Sequence, residues 1–179
     1  MPPTDTDLPE PMRLALSLAQ RAVGLCEPNP RVGCVLIGSD GQLAGQGHTQ
    51  AVGGPHAEVM ALRDAQLRGR STRGATAYVT LEPCAHQGRT GPCCEALIGA
   101  GVSHVVASLQ DPNPLVAGQG LARLRAAGIP VTLGPGAHHS RRLNIGFFSR
   151  MIRRTPWVRL KVAASLDGRT ALDDGSSQW

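Results

Sequence analysis

Pro55-His56-Ala57-Glu58 and Pro83-Cys84-Ala85-His86-Gln87-Gly88-Arg89-Thr90-Gly91-Pro92-Cys93-Cys94 are the two stretches on which the rest of this chain depends. They bring one imidazole (His56), two thiols at a nine-residue spacing (Cys84 and Cys93), and a carboxylate two residues beyond the histidine (Glu58). Three N and S donors with one position left open are what a catalytic zinc requires. Val59, Leu62 and Ala65, with polar residues between them, predict an amphipathic helix from His56 to about Arg68. His56 and Glu58 then sit on its first turn, where the partial positive charge of a helix start favours anions nearby. Thr76–Leu81 reads as a strand, and Pro92 opens the next helix with Cys93 on its first turn. Both motifs therefore fall at helix starts or loops that can converge at the carboxyl end of adjacent strands.

Outward from these stretches, strand and helix signals alternate. A first helix starts near Pro9 or Pro11, capped by Asp7, with Leu14, Ala15, Leu18 and Ala22 as its apolar stripe. It stops before Pro28-Asn29-Pro30, where two prolines hold the backbone extended and fix the direction of the Asn29 amide. Val32–Ile37 and Leu43–His48, joined through Ser39-Asp40-Gly41, predict an antiparallel hairpin. Val102–Leu109 is apolar on both faces and predicts an internal strand. Beyond it come a helix over Leu121–Ala127 and a short strand at Val131–Leu133. Together these predict a three-layer α/β/α sandwich. A basic helix is expected over His138–Arg153, and a further strand over Trp157–Ala163.

Charge is divided unevenly. Residues 1–137 carry ten Arg against ten Asp or Glu, whereas residues 138–179 carry eight Lys or Arg against three Asp, which accounts for the whole net charge of +5. An enzyme acting on nucleic acid concentrates positive charge around its site, because phosphate contacts dominate affinity. A neutral catalytic half favours a small substrate and excludes nucleic acid as the expected partner. The five cysteines, with no signal-like or membrane-length apolar run, argue for metal ligands or free thiols rather than a disulfide framework. A cytoplasmic protein with no membrane association is the expectation. Cys26 and Cys34 read as core residues.

His-x-Glu followed by Pro-Cys-x-x-Cys is the signature of zinc-dependent nucleobase deaminases, and this chain resembles it with a longer loop between the cysteines. Pro-Cys-x-x-x-Gly-Arg-Thr-x-Pro-Cys, together with Pro28-Asn29-Pro30-Arg31-Val32-Gly33, Gln110-Asp111-Pro112-Asn113-Pro114 and Ala164-Ser165-Leu166-Asp167-Gly168-Arg169, resembles the bifunctional riboflavin-biosynthesis deaminase/reductase family. The resemblance implies a cytidine-deaminase-like fold with a mixed five-stranded sheet. It also implies one Zn2+ per chain, held by His56, Cys84 and Cys93 (rather than Cys94), with Glu58 as the general acid/base. Asn29 and Arg89 would bind substrate, with Arg89 near the ribose phosphate. The implied reaction is hydrolytic deamination of a phosphorylated diaminopyrimidinone ribotide, releasing ammonia.

Residues 1–9, polar and proline-rich, are expected to be disordered, and 137–154 to be a basic connecting helix; the resemblance makes 10–136 a deaminase domain and 155–179 the incomplete start of an NADP-dependent reductase domain. Ala163 and Trp179 correspond to NADP(H)-binding positions and Ser177 to a substrate-binding one, yet reductase activity is not expected from so short a piece. A homo-oligomer is compatible with all of this. One departure stands out: where several relatives place a histidine seven residues before the first ligand, this chain has Thr49, with His48 one place earlier. The role of His86 is left open. So are two other readings, a cytidine or tRNA-adenosine deaminase and a catalytically silent zinc module. The long loop and the neutral catalytic half count against the first, and an intact Glu58 against the second.

Overall fold

Asp40-Gly41 turns the chain between β1 (Gly33–Ile37) and β2 (Leu43–His48). Gly41 takes φ +76°, and the Gly38 N–H donates to the Gln42 carbonyl at 2.8 Å. The hairpin is antiparallel, as the Asp-Gly signal predicts. β1 also pairs antiparallel with β3 (Thr76–Val79), which pairs parallel with β4 (His104–Ala107), and β4 pairs parallel with β5 (Val131–Leu133). The result, in this computed structural model, is a mixed five-stranded sheet in the order β2-β1-β3-β4-β5. The structure describes residues 8–86, 91–114 and 116–177.

Side-chain alternation along the strands separates the two faces of the sheet. Val35, Tyr78 and Val106 join Leu8, Met12, Ala15 and Leu16 beneath α1 (Glu10–Gln20). Cys34, Leu36, Ala77, Val79, Val105 and Ala107 join the opposite core. That second core lies under α2 (Ala57–Leu67), α3 (Cys93–Gly99) and α4 (Gln119–Ala126). The architecture is the expected three-layer α/β/α sandwich.

Several local expectations are corrected. Asp7 lies outside the described residues, and α1 is preceded by Pro9 with no side-chain cap. Within α1, Met12, Ala15, Leu16, Leu18 and Ala19 are buried, while Leu14 is only partly so. The buried face of α2 is Ala57, Glu58, Ala61 and Ala65, so of the predicted Val59-Leu62-Ala65 stripe Ala65 is buried while Val59 and Leu62 are only partly so. The cause is close packing: a Cβ on Gly45 would lie 2.2 Å from the Ala61 carbonyl oxygen, and one on Gly47 2.6 Å from the Ala61 nitrogen. Small residues face small residues, so the larger side chains of α2 turn to its flanks.

The predicted helix over His138–Arg153 is three pieces: α5 (Ala137–Leu143), α6 (Ile145–Phe148) and a π-helical turn (Ser149–Arg153). The break is at Asn144, whose side chain is used elsewhere. Its Oδ1 accepts the Arg31 N–H at 2.7 Å and its Nδ2 donates to the Arg31 carbonyl at 2.9 Å. Ser140, from α5, donates to the Thr80 carbonyl. Trp157–Ala163 forms no ladder with any described strand, and Val158 and Leu160 are 81% and 83% exposed. Alternating apolar residues specify a strand only where a sheet edge is within reach.

Candidate metal and catalytic site

The parallel strands β3 and β4 end on one side of the sheet, and residues that follow them, Leu81, Glu82 and Cys84 after β3 and Asp111 and Asn113 after β4, line one pocket. His56 takes the position just before α2 in an extended conformation (φ −74°, ψ 166°). Cys84 follows β3 by a short loop, and Cys93 opens α3. These separate routes converge: His56 Nδ1 lies 3.3 Å from Cys93 Sγ and 3.6 Å from Cys84 Sγ, and the three donor atoms all lie within 4.8 Å of one another. Cys94 is buried in the core beneath α3, and its N–H donates to the Cys84 carbonyl at 3.1 Å.

The electrostatics of the cluster are those of a cation site. Hydrogen bonding from Cys93 first, and from His56 next, holds the Cys84 thiol far below its ordinary range. The Cys93 thiol is held far above it, by its bond to Cys84 and by burial. The His56 imidazole is raised by its bond to Cys84. One imidazole nitrogen and two sulfurs at chelating separation suit zinc by donor type and number.

Glu58 sits on the first turn of α2 and is 3% exposed. Burial first, and the Cys84 charge second, push its carboxyl up to about 7. A carboxyl in that range can both take and return a proton near neutral pH. It shares a pocket of about 190 Å³ with His56 and Cys84.

Asn29 and His86 both line the pocket. Thr49 is a buried pocket residue whose hydroxyl is tied to the Val32 backbone. His48 instead turns its Nδ1 toward the Thr49 carbonyl and the Gln50 amide. Arg89 and Trp179 lie outside the described residues. Neither Ala163 nor Ser177 lines this pocket; Ser177 borders a separate depression formed within residues 164–177.

Two contributions were not foreseen from the sequence. Glu82, 4% exposed, accepts four backbone N–H groups: Asp111 and Gly118 on Oε2 at 3.0 and 2.9 Å, Gly120 and Leu121 on Oε1 at 2.9 and 3.3 Å. It thereby holds the loop after β4, which brings Asp111, Asn113 and Val116 to the pocket wall. The only hint in the sequence is Gly118-x-Gly120, a pair that allows close backbone approach. A Cβ on Gly120 would lie 1.8 Å from the Pro83 carbonyl oxygen. The second contribution is from Phe147, Arg150 and Met151, which close the pocket from the segment expected to be a connecting helix.

Comparison with known proteins agrees with this geometry. The model of the cytidine and deoxycytidylate deaminase zinc-binding region matches residues 6–109. The riboflavin biosynthesis protein RibD of Escherichia coli is 57% identical over 168 residues, which is 94% of this chain and 45% of that protein. RibD of Acinetobacter baumannii superposes with a TM-score of 0.84 at 53% identity, covering 94% of this chain and 46% of the other. The diaminohydroxyphosphoribosylaminopyrimidine deaminase/5-amino-6-(5-phosphoribosylamino)uracil reductase of Thermotoga maritima gives a TM-score of 0.88 at 40% identity, covering 94% and 48%. The chain thus spans about half the length of the relatives it matches.

Proposed function

We infer the reaction from one premise: this chain belongs to the cytidine and deoxycytidylate deaminase zinc-binding family, whose model it matches over more than half its length. We propose that it is a zinc-dependent hydrolytic deaminase acting on the phosphorylated diaminopyrimidinone ribotide of riboflavin biosynthesis. The substrate class is the one named for the Thermotoga relative. The observation that carries the proposal is the convergence of His56, Cys84 and Cys93 donor atoms within 4.8 Å, in the pocket that buries Glu58.

In this reading His56, Cys84 and Cys93 would hold one Zn2+ beside the pocket that Glu58 lines. The ion would supply the Lewis acidity that makes water nucleophilic near neutral pH. Glu58 takes the proton from the attacking water as oxygen bonds to the amino-bearing ring carbon. It passes that proton to the ring nitrogen, then takes the second proton from the newly bonded oxygen and delivers it to the departing amine, so water is consumed, ammonia leaves, and the ring gains a carbonyl. A buried carboxyl pushed up to about 7 suits both halves of that exchange. Asn29 would orient the ring side of the substrate, and Arg89, which falls between the two thiols in sequence, is the further substrate-binding residue of this reading.

Residues 10–136 form the deaminase domain proper, 137–154 connect it to the C-terminal segment, and 155–179 belong to the start of an NADP-dependent reductase domain in the longer relatives. Ala163, Ser177 and Trp179 would act only within that whole domain. The test is ammonia release by zinc-loaded protein from the ribotide phosphate and from cytidine, with Glu58→Ala as control. Release from the ribotide alone, lost by at least roughly 100-fold in the variant, is expected. Turnover of cytidine in preference would reject the substrate, and full activity of Glu58→Ala would reject the mechanism.

A further inference from the structure

The catalytic pocket is too small for the substrate assigned to it. Its volume is about 190 Å³, below the roughly 300 Å³ at which pockets begin to hold drug-sized ligands. A pyrimidine ring fits, but a ring with its ribosyl chain and phosphate must extend out of it. Among the described lining residues of the pocket, Arg150 is the only Lys or Arg, so its inner end offers a phosphate no lysine or arginine partner. The ring enters first and the phosphate stays outside.

A second cavity of about 500 Å³ adjoins the first, and Asn29, Phe147 and Arg150 line both. Its charged lining is Glu27, Arg31, Arg150 and Arg154. Glu27 and Arg31 form an ion pair with each other. Neither Arg150 nor Arg154 has a carboxylate partner among the described residues, so this vestibule carries about two unneutralised positive charges. A phosphate monoester carries roughly −1.5 to −2 near pH 7.

Arg150 is held in place rather than free to wander. One of its Nη atoms donates to the Pro28 carbonyl at 2.8 Å, and its guanidinium lies over the Phe147 ring, 5.8 Å from the centroid. Its remaining donors stay available for a forked contact with phosphate oxygens. Arg154 ends the π-helical turn in the left-handed region (φ 59°, ψ 23°), uncommon for a residue with a side chain. That bend sends Thr155, Pro156 and Trp157 back along the vestibule wall.

We propose that this vestibule is the phosphate subsite, with Arg150 and Arg154 binding the phosphate of the ribotide whose ring occupies the catalytic pocket. The proposal rests on the deaminase reading above for the identity of that ligand. It makes Phe147–Trp157 a specificity element and accounts for the placement of positive charge after residue 137 in a chain whose catalytic half is neutral.

The test compares the ribotide phosphate with its dephosphorylated riboside, as ligands of zinc-loaded protein carrying Glu58→Gln, by calorimetry. The same pair is compared as substrates of protein with Glu58 intact. Arg150→Met is expected to cut the ribotide-over-riboside preference in Kd by roughly 10-fold or more, and the Arg150→Met/Arg154→Met double variant to abolish it, each lost contact being a charge-assisted one. Arg150→Lys should recover part of the preference. An unchanged preference in the double variant overturns the proposal. So does a parallel loss for both ligands, which marks a collapsed wall, and so does abolition of the preference by Arg89→Ala alone. Failure to bind either ligand overturns it as well. Absence of turnover with the preference intact would reject the deaminase reading and leave the phosphate subsite standing.

Discussion

Glu82 is the residue whose chemistry departs most from its appearance in the sequence. α4 has no side-chain cap of its own, and its first N–H groups are satisfied by a carboxylate arriving from the end of β3. A carboxylate suits a helix start both as acceptor and as counter-charge. In Glu82→Gln one oxygen becomes an NH2 group that faces two backbone donors instead of accepting them. Each buried unsatisfied donor costs about 1–3 kcal/mol, so the variant should lose about 2–6 kcal/mol in a denaturant titration. Its amides at Asp111 and Gly120 should also exchange faster with solvent. A loss below about 0.5 kcal/mol would show that the four bonds are dispensable. His56, Glu58, Cys84 and Cys93 are legible in the sequence because the motif lies in short local spacings tied to helix starts. Glu82 is not, because its partners are backbone groups 29 to 39 positions away that leave no side-chain pattern.

Periodicity locates the elements better than it locates their buried faces. β1, β2, α2, β3, α3, β4, α4 and β5 all occur where strand and helix signals alternate. Hydrophobic size misleads about the inward face of α2, because glycines on β2 bring the backbones so close that only Ala57, Ala61 and Ala65 fit. Asn144, by giving its amide to Arg31, breaks what the sequence presents as one helix. The α2–β2 contact makes a prediction whose sign separates two effects. Ala in a strand interior is ordinarily better than Gly by about 0.5–1 kcal/mol. A Cβ at Gly45, however, would stand 2.2 Å from the Ala61 carbonyl oxygen and 2.6 Å from the Ala65 nitrogen, which are backbone atoms that cannot rotate away. Overpacking of this kind costs about 1–3 kcal/mol, so Gly45→Ala should destabilise. It should also weaken catalysis, because the displaced helix carries Glu58. A thermal melt at or above that of the parent protein would contradict this account of the α2 interface.

Across the whole molecule, the pocket is an assembly of separate pieces. The loop before β1 brings Asn29, the start of α2 brings His56 and Glu58, the loop after β3 brings Cys84, the loop after β4 brings Asp111, and the turn after α6 brings Arg150. The division between a neutral catalytic half and a basic remainder is visible in the sequence, yet its meaning is not. The basic segment proves to be part of the pocket wall, held there by Ser140 on Thr80 and Asn144 on Arg31. A metal held by His56, Cys84 and Cys93 would tie α2, the loop after β3 and α3 to one another, so its removal should be felt globally. A ligand that binds only the folded state at about 1,000 times its Kd adds about 4 kcal/mol. In a domain of this size each kcal/mol moves the midpoint by about 2–4 °C. Stripping zinc with a chelator should therefore lower Tm by about 8–16 °C, and readdition of one equivalent should restore it. His56→Ala should melt near the stripped value with or without zinc, because the site has lost one of its three donors. An unaltered Tm on complete zinc removal would mean that the three donors are already locked together by the fold, and that the ion contributes chemistry without contributing stability.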